Sequence, residues 1–244
     1  MSDTAGLLGG LLEGPLIVAL DVDTAEDCLR LARLLKGRAH AYKMGPRLCM
    51  RYGAELVKQV AAIAPVFVDN KYLDIPSTME AAIRATHDAG ATLATIHTWS
   101  GPEALTRLAK VEAELSSKRP FKLLAVTLLT SFSKDNLPPT IEVKSFDQNV
   151  SALADSALKC GLTGLVCSPH EVSNLRSKSK TAFLVTPGIR LATDAAGDQK
   201  RIETPAAALK KGASALVVGR PIVEAQDPVE AAERVLSSIA EAKR

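Results

Sequence analysis

The stretch VFVDNKYLDIPST, residues 66–78, decides how the rest of the chain is interpreted. It begins as an apolar, β-rich run and stops at Ile75-Pro76, after which a helix is expected to begin at Ser77 or Thr78. Charges of alternating sign follow the apolar run, at Asp69, Lys71 and Asp74. Because charged side chains are rarely placed at the end of a buried strand without a partner or a task, this stretch predicts a strand, a helix and a chemical site between them.

The same succession of apolar strand and amphipathic helix recurs along the chain. Besides the opening stretch, strands are predicted over residues 16–21, 39–44, 91–97, 122–129, 163–168, 182–187 and 213–219. Near-continuous apolar strands are typical of parallel sheets that helices cover. Eight strand–helix units in about 230 residues predict an α/β fold, a single-domain (β/α)8 TIM barrel over residues 15–244. Residues 1–14 are expected to form a flexible N-terminal extension.

A doubly wound open sheet is the alternative arrangement for this pattern. Such sheets usually carry a GxGxxG turn after the first strand, and LDVDTAED, residues 20–27, has no such turn. The pattern therefore favours the barrel.

Composition excludes several classes of protein. The net charge of +3 is dispersed without a basic block, so nucleic acid is not an expected partner. No stretch reaches the ~20 apolar residues of a membrane span, and the apolar segment 5–20 lacks the basic start of a signal peptide. The 4 cysteines and 4 histidines show no metal-binding spacing, which indicates reduced packing cysteines in a cytoplasmic protein without a metal site.

Polar side chains fall repeatedly at the carboxyl ends of the predicted strands, where (β/α)8 barrels place their active sites. They are Asp21, Lys43, Asp69, Lys71, His97, Thr130 and Ser131. A long Ser-, Asn- and Pro-containing segment from Thr130 to about Asp147 follows the fifth strand and predicts a functional lid.

Residues two apart on a strand share a face, so Asp69 and Lys71 are expected to point to one side while Asn70 points away. With Lys43 and Asp74 they would form an alternating array in which each charge stabilises its neighbours. A structural salt-bridge network at the barrel rim is the alternative interpretation.

Phosphate binding is expected on the other side of the barrel mouth, because the loops after strands 7 and 8 often bind phosphate in this fold. These loops contain TPGIR (186–190), GDQKR (197–201) and VVGRPI (217–222). Gly219 permits a close backbone approach, and the Arg220 guanidinium suits phosphate oxygens. A turn glycine and a solvated arginine are the alternative.

Taken together, these motifs resemble those of the orotidine 5'-monophosphate decarboxylase family. The resemblance runs through LDVD (20–23), Lys43, DNKYLDIPST (69–78), VTLLTS (126–131) and the three phosphate-side loops. It implies cofactor-independent decarboxylation of orotidine 5'-monophosphate to uridine 5'-monophosphate, the last step of de novo pyrimidine biosynthesis, in a cytoplasmic homodimer.

The resemblance also implies roles for individual residues. Lys71 would be the proton donor, Lys43, Asp69 and Asp74 would complete a charged tetrad, and Asp74 would reach the partner subunit's site. The implied substrate contacts, besides Lys43, are Asp21 and Thr78 near the ribose or phosphate, Thr130 and Ser131 at the pyrimidine, and Arg190, Gln199, Gly219 and Arg220 at the phosphate. His97 is expected to be structural or to support the site.

Two other functions remain open at this point. Sugar-phosphate decarboxylases and synthases on a similar barrel also carry a D-x-K-x-x-D strand, but they generally lack the lysine at position 43 and the Ile75 to Thr78 continuation. A non-catalytic protein that binds nucleotide phosphates is the other alternative, against which the complete tetrad argues.

Overall fold

The computed structural model describes residues 8–132, 146–191 and 201–242, and in it eight parallel strands close into a barrel in chain order. The strands are β1 (Leu16–Ala19), β2 (Ala41–Met44), β3 (Val66–Tyr72), β4 (Leu93–His97), β5 (Lys122–Val126), β6 (Gly164–Val166), β7 (Phe183–Thr186) and β8 (Ala215–Val218). The predicted (β/α)8 barrel is confirmed, and the open sheet is excluded because β8 pairs with β1.

Helices follow the strands and cover the outside of the barrel. They are α1 (Ala25–Leu34), α2 (Pro46–Ala61), α3 (Pro76–Asp88), α4 (Gly101–Ser116), α5 (Phe146–Lys159), α6 (Val172–Lys178), α7 (Pro205–Lys210), α8 (Arg220–Val223) and α9 (Pro228–Glu241). A 3-10 turn, Thr98–Ser100, precedes α4. None of the helices in the described part of the chain combines the length and apolar character of a membrane span.

Two helix starts differ from expectation. Helix α3 begins at Pro76 instead of Ser77 or Thr78, since proline suits the first helical position, where its missing N–H would have no partner. The loop expected after β8 contains the short helix α8, which begins at Arg220 directly after Gly219. The second difference concerns residues that line the cavity described below.

The barrel interior is filled by inward-facing apolar side chains such as Ile17, Phe67 and Phe183. Leu8 and Leu12 join this cluster with 5% and 6% exposure. Residues 8–12 therefore pack against the amino-terminal end of the barrel, which removes two leucine side chains from water. The flexible extension over residues 1–14 and the domain boundary at residue 15 stay predictions.

Candidate active site

A cavity of about 480 Å³ opens at the carboxyl ends of the strands. Its wall contains the following residues that the sequence nominated: Asp21, Lys43, Asp69, Lys71, Thr130, Ser131, Arg190, Gly219 and Arg220. The lysines belong to β2 and β3, whereas Arg190 and Arg220 follow β7 and β8 across the barrel. One cavity thus holds Lys43, Asp69 and Lys71 of the expected charged array, together with Arg190, Gly219 and Arg220 of the expected phosphate-binding residues.

Two nominated residues that the structure describes lie elsewhere. Asp74 and Thr78 are exposed on the segment after β3 and do not line this cavity. Asp74 Oδ1 accepts a hydrogen bond from the Ile75 N–H at 2.6 Å. Gln199, together with most of the segment expected to form a lid, lies outside the described residues.

Charges of opposite sign alternate along one side of the cavity. Lys43 Nζ lies 3.0 Å from Asp21 Oδ1 and 3.7 Å from Asp69 Oδ2, and Lys71 Nζ lies 2.9 Å from Asp69 Oδ1. Within one chain the order is therefore Asp21, Lys43, Asp69, Lys71. The motif predicts Asp74 as the second carboxylate of this array. Within one chain, Asp21 pairs with Lys43 and is the second carboxylate instead.

Asp69 is the central carboxylate of this array. Its side chain is only 13% exposed, and burial by itself would raise its pKa. The nearby ammonium groups of Lys71 and Lys43, with hydrogen bonds from Lys71 and Thr95, outweigh burial and bring the pKa of Asp69 below its usual value. Asp69 is therefore a permanent negative charge next to Lys71 at neutral pH.

Lys71 occupies an unusual backbone conformation. Its φ is 50°, and no other non-glycine residue among those the structure describes has a positive φ. A left-handed conformation costs a residue with a Cβ roughly 1–2 kcal/mol, and such strain is concentrated at functional sites. The lysine that the motif nominates is thus the residue at which the backbone departs from the regular strand.

Asn70 and Tyr72 lie on the opposite face of β3, as the alternation predicts. Asn70 Nδ2 donates to the Tyr72 hydroxyl at 3.0 Å, and that hydroxyl lies 2.7 Å from Thr86 Oγ1 on α3. These two side chains therefore contact the helix layer and not the cavity.

His97, at the end of β4, is 8% exposed and does not line the cavity. Burial, assisted by the positive charge of Lys71, lowers its pKa to about 4. Its Nδ1 accepts a hydrogen bond from the Trp99 N–H at 3.4 Å. A neutral imidazole that bonds to its own loop fits the expected supporting role.

A buried ion pair lies next to Leu129, a residue of the cavity wall. Arg201 pairs with Glu171, donates to the Leu129 carbonyl at 3.1 Å and lies over the Phe146 ring. Glu171 also accepts the Ser168 N–H at 2.7 Å, yet burial keeps its pKa above the usual value despite the opposing charge of Arg201. The ends of the segments that follow β5, β6 and β7 therefore meet at one arginine.

The sequence did not nominate Thr95, Glu171 or Arg201 for a role in the site. Thr95 was treated as part of an apolar strand, although it is a hydroxyl on the same face as His97. Glu171 is the acidic residue in a short connection after β6, and Arg201 ends the GDQKR motif. Of these three residues, only Arg201 could have been recognised from the sequence, by its position in a motif.

The donor side chains of the site limit which ligands it could hold. In the described ranges, no three His, Cys, Asp or Glu side chains form a group that could hold a metal ion. The carboxylates Asp21 and Asp69 in the cavity are both engaged by Lys43. The donors that the structure describes therefore favour binding of an anionic ligand by lysine and arginine.

Comparison with known proteins agrees with this geometry. Residues 14–235 match the family model described as Orotidine 5'-phosphate decarboxylase / HUMPS family. Proteins named orotidine 5'-phosphate decarboxylase from Rhodopseudomonas palustris (strain HaA2) and Trichlorobacter lovleyi are 44% and 40% identical to the chain. These alignments cover 93% and 92% of this chain, and 95% and 94% of the relatives.

A solved structure of orotidine 5'-phosphate decarboxylase from Lactobacillus acidophilus is 33% identical and superposes with a TM-score of 0.80. That match covers 93% of this chain and 99% of the solved chain. With the family model matched over most of its length, the chain belongs to the orotidine 5'-phosphate decarboxylase / HUMPS family.

Proposed function

We propose that this chain catalyses the decarboxylation of orotidine 5'-monophosphate to uridine 5'-monophosphate and CO2, the last step of de novo pyrimidine biosynthesis in the cytoplasm, without a cofactor. The observation that carries the proposal is the pairing of Lys71 with the buried Asp69 at 2.9 Å in the wall of a cavity whose far side holds Arg190 and Arg220. Family membership supports the same reaction.

The proposed reaction breaks the bond between ring carbon C6 and its carboxylate. The electron pair of that bond stays on C6 while CO2 departs. The Lys71 ammonium stabilises this developing negative charge and then transfers its proton to C6, so that a C6–H bond replaces the C–C bond. Lys71 is left as a neutral amine, which regains a proton from solvent.

Asp69 and Lys43 prepare Lys71 for this step. Asp69 holds the ammonium at 2.9 Å, while Lys43 lies between Asp69 and Asp21. A substrate carboxylate that enters beside Asp69 brings two negative charges together, and departure of CO2 relieves that repulsion. The alternating array thus keeps a negative charge at the reacting centre without neutralising Lys71.

The substrate phosphate lies remote from C6 and is assigned to the opposite wall of the cavity. Arg190 and Arg220 provide guanidinium groups there, and Gly219 follows β8 at the same edge. An added Cβ at Gly219 would lie 3.4 Å from the Ala19 Cβ and 3.7 Å from Asp21 Oδ2, so the backbone approaches closely at this position. Phosphate binding can therefore contribute energy that is used in the transition state.

A homodimer with shared sites accounts for the position of Asp74. This carboxylate is exposed outside the cavity of its own chain, between Leu73 and Ile75, which are 53% and 63% exposed. Large apolar side chains next to a functional motif are typical of a protein interface. We assign this face to a second copy of the chain, so that Asp74 and Thr78 enter the partner subunit's cavity.

The direct test mixes purified protein with orotidine 5'-monophosphate and follows the loss of its ultraviolet absorbance, with Lys71→Ala as the control. Turnover by the parent but not by the variant is the expected result. If the parent shows no turnover, the proposal is wrong; binding of uridine 5'-monophosphate without turnover would then identify a non-catalytic binding protein. The sugar-phosphate alternative is disfavoured because Lys43 takes part in the array.

A further inference from the structure

We propose that Thr95 is a positioning residue, whose hydroxyl takes the place of a missing backbone partner in β3 and thereby fixes Asp69 and Lys71 towards the cavity. The kinetic part of this inference rests on the proposed function, whereas the structural part does not.

The first observation is a break in the pairing of β3 with β4. Val68 pairs with Ala94, and the next pair is Tyr72 with Ile96. Between these pairs, β3 has three residues, Asp69 to Lys71, opposite the single residue Thr95 of β4. The two extra residues preserve the inward and outward alternation, because a shift of two leaves the side-chain period of a strand unchanged.

The irregularity belongs to β3 alone. On its other side β4 pairs with β5 without interruption, from Leu93 with Lys122 to His97 with Val126. Thr95 is therefore held by Leu124 in a regular ladder. It forms a fixed support for the bulged segment.

The second observation is the pair of hydrogen bonds that the Thr95 hydroxyl makes across the bulge. Oγ1 accepts the backbone N–H of Lys71 at 2.9 Å and donates to Asp69 Oδ1 at 3.0 Å. Thr95 is fully buried, so water does not compete for these bonds. The N–H of Lys71, which lacks a ladder partner where the pairing is interrupted, is thus satisfied by a side chain.

Together these contacts connect the backbone of Lys71 with the carboxylate of Asp69. The hydroxyl holds Lys71 in its conformation of φ 50° and holds the carboxylate oxygen that also binds Lys71 Nζ. A hydroxyl is needed because it both donates and accepts. Valine has nearly the same shape but can do neither.

The test compares Thr95→Val with Thr95→Ser and with the matched control Thr86→Val. Thr86, on α3, is also buried. Its hydroxyl forms a hydrogen bond with the hydroxyl of Tyr72, which lies on the face of β3 that points away from the cavity. We expect Thr95→Val to lower kcat about 100-fold, because small displacements of reacting groups have effects of that order, with KM changed less than about 3-fold. Thr95→Ser should stay within about 5-fold of the parent, and Thr86→Val should keep the parent kcat.

All assays are made below the measured unfolding temperature of each variant. If Thr95→Val does not fold, Thr95→Ala replaces it with the same expected loss of kcat, since alanine likewise has neither a donor nor an acceptor in its side chain. A kcat for Thr95→Val close to that of the parent would overturn the inference. So would a Thr95→Ser variant as impaired as Thr95→Val.

A second measurement needs no substrate. Hydrogen exchange of the Lys71 amide, followed by NMR, should be at least about 10-fold faster in Thr95→Val and unchanged in Thr86→Val. If the parent fails to convert orotidine 5'-monophosphate, the proposed function is wrong, while this exchange rate still decides the role of Thr95. Unchanged exchange in Thr95→Val would refute that role whatever the activity.

Discussion

Lys71 Nζ lies 2.9 Å from Asp69 Oδ1 although both residues belong to one strand and Lys71 adopts a φ of 50°. The contact joins a side chain that is 38% exposed to one that is 13% exposed, so the ammonium reaches the cavity while its counter-charge stays buried. This geometry suits a proton donor that must meet substrate and remain charged beforehand.

Replacement of Lys71 by methionine should abolish most of the activity. Lys71→Met removes the proton donor and the charge that stabilises the carbanion, so kcat/KM for orotidine 5'-monophosphate should fall by at least about 10⁴-fold. The measurement is the ultraviolet assay, with Lys58→Met on the exposed face of α2 as the matched control. A loss below about 10-fold would remove Lys71 from the chemical step.

Replacement of Arg220 by alanine should weaken recognition of the phosphate. Loss of a hydrogen bond to a charged group costs about 1.5–3 kcal/mol, which lowers kcat/KM for orotidine 5'-monophosphate about 10- to 100-fold. Orotidine, which has no phosphate, should be processed equally by Arg220→Ala and parent. Arg234→Ala, an exposed arginine on α9 paired with Glu230, is the control. Equal losses with both substrates would place Arg220 outside the phosphate site.

Shared sites predict recovery of activity in mixed dimers. Asp74→Asn and Lys71→Ala should each be nearly inactive, but subunits exchanged between them form dimers with one intact site. Random mixing gives about a quarter of the parent activity per site, since half of the dimers are mixed and each has one complete site. The mixture is assayed after refolding at equal concentrations. Activity no higher than the sum of the separate variants would contradict a shared site.

Acid sensitivity should depend on His97. Its pKa is about 4 in the folded chain and 6.5 for an unperturbed imidazole, so between these values the unfolded state binds the extra proton. Stability is therefore lost as pH falls from 6.5 towards 4. Urea unfolding at pH 7 and pH 5 should show a smaller loss for His97→Asn than for the parent, by about 1–2 kcal/mol after allowance for partial solvent screening. An equal loss in both proteins would show that His97 is not kept neutral.

Much of the fold followed from local patterns in the sequence. The eight strand–helix units were recognisable because buried parallel strands are short apolar runs and several helices begin at a capping side chain or a proline. Thr24 and Asp227, for example, are of residue types that favour helix starts, and they accept hydrogen bonds from the first turns of α1 and α9. The common face of Asp69 and Lys71 followed from the two-residue period of a strand.

Tertiary structure decided how these pieces meet. The role of Thr95 depends on the register between β3 and β4, and a local pattern does not specify where three residues will face one. The pairing of Glu171 with Arg201 joins residues 30 positions apart, and Asp74 lies outside the cavity because the chain turns into α3 directly after it. The sequence by itself determined which residues carry charge at the barrel mouth, whereas strand register and loop direction, which arise only when the barrel closes, decided which of those charges touch.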